Sequence, residues 1–60
     1  MSEMTIGQQK MRIRRRLREK GFNEAALRTP MWLRKIDDMA KKLNGGGTPN
    51  EILEVEAFLR

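Results

Sequence analysis

The 60-residue sequence contains no cysteine and no histidine. Without cysteine there is no disulfide and no thiolate metal site. Without histidine the chain lacks the commonest metal ligand and the usual general base near neutral pH. Tyrosine is also missing, and the aromatic residues are one tryptophan and two phenylalanines. Asp37 and Asp38, adjacent on an expected helix, point apart and do not converge on a shared site. The residues that remain are poor material for catalysis, so the chain is expected not to be an enzyme and to need no cofactor and no metal. No apolar run approaches the roughly 20 residues of a membrane span. Met1-Ser2-Glu3-Met4 also lacks the basic and apolar regions of a signal peptide. The expectation is a cytoplasmic protein with no membrane partner.

Sixty residues allow one domain, spanning 1–60. A domain this small buries only about 60% of the surface its unfolded chain exposes. With no disulfide, its stability must come from helix packing, self-association or a partner. The 38% hydrophobic content suffices for a small core.

The charge is unevenly placed. Lys10, Arg12, Arg14, Arg15, Arg16, Arg18 and Lys20 are opposed within their own stretch only by Glu19. The other 49 residues carry six basic and seven acidic side chains. The net charge of +5 therefore belongs to one segment.

That segment reads as a helix over 6–20. Thr5 and Gln8 have the spacing of a capping box, and Gly21 suits the left-handed residue that closes a helix. On a helical wheel Ile6, Ile13 and Leu17 form a thin apolar stripe. Arg12, Arg15 and Arg18 lie opposite it, Arg14 and Arg16 lie at its two edges, and Met4 and Met11 fall off it. Phe22 to Leu27 has two readings. Asn23 caps a short helical turn with Phe22 and Leu27 as a hydrophobic staple, or the segment is a short strand with Ala25 and Leu27 on one face. A second helix over 30–43 has Thr29 as its cap and Pro30 in its first turn. Trp32, Leu33, Ile36, Met39, Ala40 and Leu43 make its apolar face. Arg34, Lys41 and Lys42 stand near Asp37 and Asp38 on the solvated side. Gly45-Gly46-Gly47 is a flexible link without a phosphate-binding pattern. Thr48 and Glu51 form a second capping box, opening a third helix over 49–60 with Ile52, Val55, Phe58 and Leu59 as its apolar face. Leu33, Ile36, Ala40, Ile52, Val55 and Leu59 are the expected core, with Trp32 also expected inside. The fold class is all-α, a small three-helix domain.

The functional signal is the stretch from Lys10 to Lys20. A guanidinium is a planar fork of donors that matches phosphate oxygens and guanine edges. Five arginines between Arg12 and Arg18 would lay charge along a phosphate backbone and release counterions. A basic run is ordinarily a solvated face that mixes both signs, and this one does not. The expected partner is nucleic acid, DNA in preference to RNA, with an acidic protein surface as the alternative. Arg12, Arg15, Arg18 and Arg16 are the expected phosphate contacts. Lys10 and Arg14, beside the apolar stripe, are expected to contribute less, and Lys20 completes the set. The apolar surplus of the later helices favours a homodimer. A helix-turn-helix reading fails on charge, because the third helix would present Glu51, Glu54 and Glu56 to phosphate.

One pattern points to an alternative architecture. Leu27-Arg28-Thr29-Pro30, the helix from Met31 to Ala40, the glycine turn and Thr48-Pro49-Asn50-Glu51-Ile52-Leu53 resemble the ribbon-helix-helix family of DNA-binding proteins over about residues 24–60. The resemblance implies a dimer whose paired strands, near 24–28, enter the major groove. It also implies that Glu24, Ala26 and Arg28 face DNA and that the Thr48 end of the last helix lies near a phosphate.

Overall fold

A computed structural model describes residues 4–60. The leader reading of Met1-Ser2-Glu3-Met4 falls mostly on residues 1–3, which lie outside the described residues. Four helices follow one another: α1 (Ile6–Glu19), α2 (Glu24–Leu27), α3 (Pro30–Lys41) and α4 (Pro49–Leu59). Among the described residues there is no strand.

The helix starts follow from side-chain chemistry. The Thr5 hydroxyl accepts from the Gln8 amide at 3.2 Å, and the Gln8 side-chain oxygen accepts from the Thr5 amide at 2.8 Å. Thr48 and Glu51 repeat the arrangement at 3.3 and 3.0 Å. Both capping boxes form where the spacing predicts them. Asn23 caps α2, its Oδ1 accepting from the Ala26 amide at 2.7 Å. With that amide satisfied and two alanines following, the segment takes one helical turn. The alternative strand near 24–28 is not seen, because Glu24–Leu27 is helical. Glu24 and Ala26 sit on the turn, and Arg28 ends it in a right-handed helical conformation.

Thr29 starts α3 through its extended backbone only. Its hydroxyl donates to the Ala26 carbonyl at 2.7 Å, so it closes the end of α2 rather than capping α3. Gly21, after α1, has φ 106°. The second helix stops at Lys41, two residues before the expected end. Lys42–Gly46 opens into a wide turn in which Gly45 adopts φ 101°. That left-handed residue cannot continue the α-helical ladder, so the preceding turn loosens.

The core consists of Ile13, Leu17, Leu27, Ile36, Ala40, Val55 and Leu59. Ile36, Ala40, Val55 and Leu59 are buried as expected. Leu33 is 42% exposed and Ile52 is half-buried. Each lies three residues before a buried centre, Ile36 or Val55, in the opening turn of its helix. A helix with few neighbours covers the middle of its apolar stripe and leaves that edge open. Ile6, at the first residue of α1, is exposed for the same reason. Trp32 sits at the core margin, half-buried, with the Phe22 ring edge-on at 4.8 Å between centroids. Gln9 takes a core position on α1 and is only 8% exposed.

Charge pairs tie the helices together. Asp37 of α3 accepts from Lys10 of α1 at 3.0 Å and from Lys41 at 2.9 Å. Lys42 joins Asp38 at 3.1 Å to Glu51 of α4 at 3.3 Å. No helix among the described residues is long and apolar enough to cross a membrane.

Candidate nucleic-acid interface

Ile13 and Leu17, four residues apart and with no exposed surface, fix the rotation of α1 about its own axis. Residues about a third to half a turn away must then point out of the domain. Arg12, Arg15 and Arg18 occupy those positions and are exposed, as is Arg14 at the edge of the stripe. Gly21 reverses the chain, and buried Leu27 anchors α2 beside the end of α1. This brings Arg28 to the same side. The five arginines line one open concavity over α1 and α2. Met4, Met11 and Leu27 supply its apolar parts, and Glu19 and Glu24 are its carboxylates.

Among the described residues Arg12, Arg14 and Arg15 have no carboxylate within ion-pairing distance. Arg18 reaches Glu24 at 3.5 Å and Arg28 reaches the other oxygen of the same carboxylate at 3.7 Å. These pairs are exposed and exchange readily with water and salt.

The remaining sequence candidates point elsewhere. Arg16 is half-buried, donates to Glu19 at 3.3 Å and has a buried Nε with no partner. Lys10 is engaged with Asp37 across the α1–α3 contact. The Lys20 ammonium lies 4.8 Å from the centre of the Phe58 ring on α4. Arg14, expected to be marginal, thus stands with the outward arginines, whereas Arg16 is drawn inward.

The perturbed carboxylates lie outside the concavity. Hydrogen bonding from Lys41, and then from Lys10, holds Asp37 below the ordinary carboxylate range. Glu51 is lowered first by the Thr48 backbone amide, then by the Thr48 hydroxyl and Lys42. Lys42 is raised by Asp38 and Glu51. These shifts mark helix ends and helix contacts. No group of three or more acidic side chains among the described residues is arranged to hold a metal ion.

Arg28 and Glu24 are the site residues whose setting periodicity could not supply. They belong to a four-residue helix, and only the fold of the Gly21 turn carries them to α1. The legible signal was local: an Asn23 cap followed by a carboxylate and, four residues later, an arginine.

No family model, curated protein or solved structure matches the chain.

Proposed function

We propose that the chain is a small, non-enzymatic nucleic-acid-binding protein that acts in the cytoplasm as a DNA-binding regulator. The observation that supports this most is the concavity with five arginines, three of them without a carboxylate partner among the described residues. Phosphodiesters fit such a surface because each guanidinium presents forked donors and each phosphate contact releases condensed counterions. The outward face of α1 is long enough for successive phosphates, since its 14 residues span about 21 Å at 1.5 Å per residue. Exposed Leu33, Leu53 and Phe58 favour pairing with a second copy, which would present two such faces.

A second reading, docking on an acidic protein surface, draws on Met4 and Met11. Both are exposed within the concavity, and thioether side chains adapt to protein partners. A titration against duplex DNA, single-stranded DNA and RNA at several salt concentrations separates the two. The nucleic-acid reading expects binding to duplex DNA that weakens log-linearly with salt. The absence of binding to all three at about 150 mM salt, near physiological ionic strength, would reject it in favour of the protein partner.

A further inference from the structure

The backbone that carries Glu24 is fixed at both ends of its helical turn. Glu24 opens this turn, which is capped by Asn23 and anchored by buried Leu27. Arg28 follows it by one turn on the same short helix. Arg18 approaches from the end of α1, across the Gly21 reversal. Two guanidiniums from separate elements therefore converge on the two oxygens of one carboxylate, at 3.5 and 3.7 Å. With the carboxylate removed, two positive charges would share one spot with no counter-charge. Their forked donors suit the two non-bridging oxygens of a phosphodiester.

We propose that Arg18 and Arg28 form a phosphate clamp in which Glu24 is the resident counter-anion, displaced when a nucleic-acid phosphate binds. The proposal rests on the nucleic-acid reading for its physiological ligand, but the clamp itself is defined by phosphate chemistry. Glu24 acts in two ways. It keeps two like charges from repelling each other in the unbound protein, and it makes every phosphate compete for them. The internal competitor weakens binding to any polyanion and reserves tight binding for ligands that also engage Arg12, Arg14 and Arg15.

The test compares wild-type protein with Glu24→Gln and with Glu54→Gln. The second removes the same charge from α4, away from the concavity. Each protein is titrated with a short duplex at several salt concentrations. Each is also titrated with inorganic phosphate while the arginine Nε–H resonances are followed by NMR. Glu24→Gln should bind the duplex about fivefold more tightly, the equivalent of one exposed ion pair no longer broken. Its salt slope should stay near the wild-type value, because the clamp contacts the same phosphate in both proteins. Glu54→Gln should change little. Inorganic phosphate should move the Arg18 and Arg28 resonances more than that of Arg34, and at lower concentration in Glu24→Gln. Adding Arg28→Lys to Glu24→Gln keeps the charge, removes the fork and should cancel most of the gain. Equal effects of Glu24→Gln and Glu54→Gln would overturn the clamp, as would phosphate shifts at Arg18 and Arg28 no larger than at Arg34. Failure of the wild type to bind any nucleic acid, with both clamp resonances still responding to phosphate, would reject the proposed function and uphold the clamp.

Discussion

Replacing Arg12 and Arg15 together with alanine isolates the outward face of α1 from the stability of the fold. Neither side chain has a carboxylate partner among the described residues, and neither is buried. Alanine is at least as good a helix former as arginine, and the change removes like charges from one helix face. The double variant should therefore melt at the wild-type temperature or slightly above it. Its binding should change in a defined way. Each lost phosphate contact on duplex DNA lowers the salt slope by about 0.9, so two contacts lower it by about 1.8. Between about 50 and 200 mM salt, a slope difference of that size changes the relative affinity of the two proteins roughly twelvefold.

Lys10→Ala provides the contrast. Lys10 is equally basic, but its ammonium is engaged with Asp37 across the α1–α3 contact. Its loss should lower stability slightly and leave the salt slope near the wild-type value. Fluorescence anisotropy with one labelled duplex at four salt concentrations, plus a thermal melt of each protein, measures both effects. Equal slope changes for Lys10→Ala and for each outward arginine would refute the assignment, because binding would then follow net charge and not the face of α1. Unchanged slope in the double variant, with wild-type affinity intact, would refute it more directly.

Three other outcomes follow from the packing and the titrations. Ile36 is 1% exposed, so Ile36→Asp should leave no folded protein. Ile36→Val should cost about 1 kcal/mol, or roughly 4–8 °C in Tm, and a normal melt for the aspartate variant would place α3 outside the core. Asp37 and Glu51 are held below their ordinary range, so their contribution to stability is complete above about pH 5 and fades as the pH falls through their lowered values. Asp37→Asn should flatten the acid limb of a stability–pH curve, and an unchanged limb would show that the Lys10 and Lys41 contacts do not persist in solution. Sedimentation should detect a dimer at high micromolar concentration, and Leu53→Glu combined with Leu33→Glu should leave monomer; a wild-type monomer of full thermal stability would remove the pairing proposal.

The parts of this fold that were legible in sequence are those written in local chemistry. Thr5 with Gln8 and Thr48 with Glu51 form the capping boxes that their spacing announces. Gly21 and Gly45 take the left-handed conformations that end helices. The all-α class follows from those signals and the 3.6-residue period of α3. Details set by neighbouring elements were not legible. Thr29 has the sequence of a cap, but its hydroxyl is taken by the Ala26 carbonyl once α2 forms. Leu33 and Ile52 belong to apolar stripes, yet so few helices surround them that only Ile36 and Val55 behind them are covered. Gln9 has a polar name and a core address, which no hydrophobic pattern reveals. Within the basic stretch, the outward direction of Arg12, Arg15 and Arg18 came from the wheel. The inward turn of Arg16, the engagement of Lys10 and the arrival of Arg28 depended on tertiary contacts.

The placement of charge along α1 argues against simple solubility as its purpose. A helix gains from basic side chains in its last turn, where they meet the negative end of the dipole, and Arg16 and Arg18 are in that turn. Arg12, Arg14 and Arg15 are not, and they gain nothing from the dipole. They also gain nothing from i to i+4 pairing, because Gln8, Lys10, Met11, Arg16, Arg18 and Glu19 are the residues four away and only Glu19, beside Arg15, is acidic; Glu19 is bonded to Arg16 instead. α3 shows how the same chain handles charge when stability is the only demand: Asp37 with Lys41 and Asp38 with Lys42 are matched four residues apart. On α1 the matching partners are absent from the middle of the helix, where mutual repulsion is greatest and a bound polyanion would relieve it most. A 60-residue domain with a core of seven among the described residues has little stability to spend on that repulsion. The unmatched stretch supports the proposal that its neutralising charges arrive with a ligand.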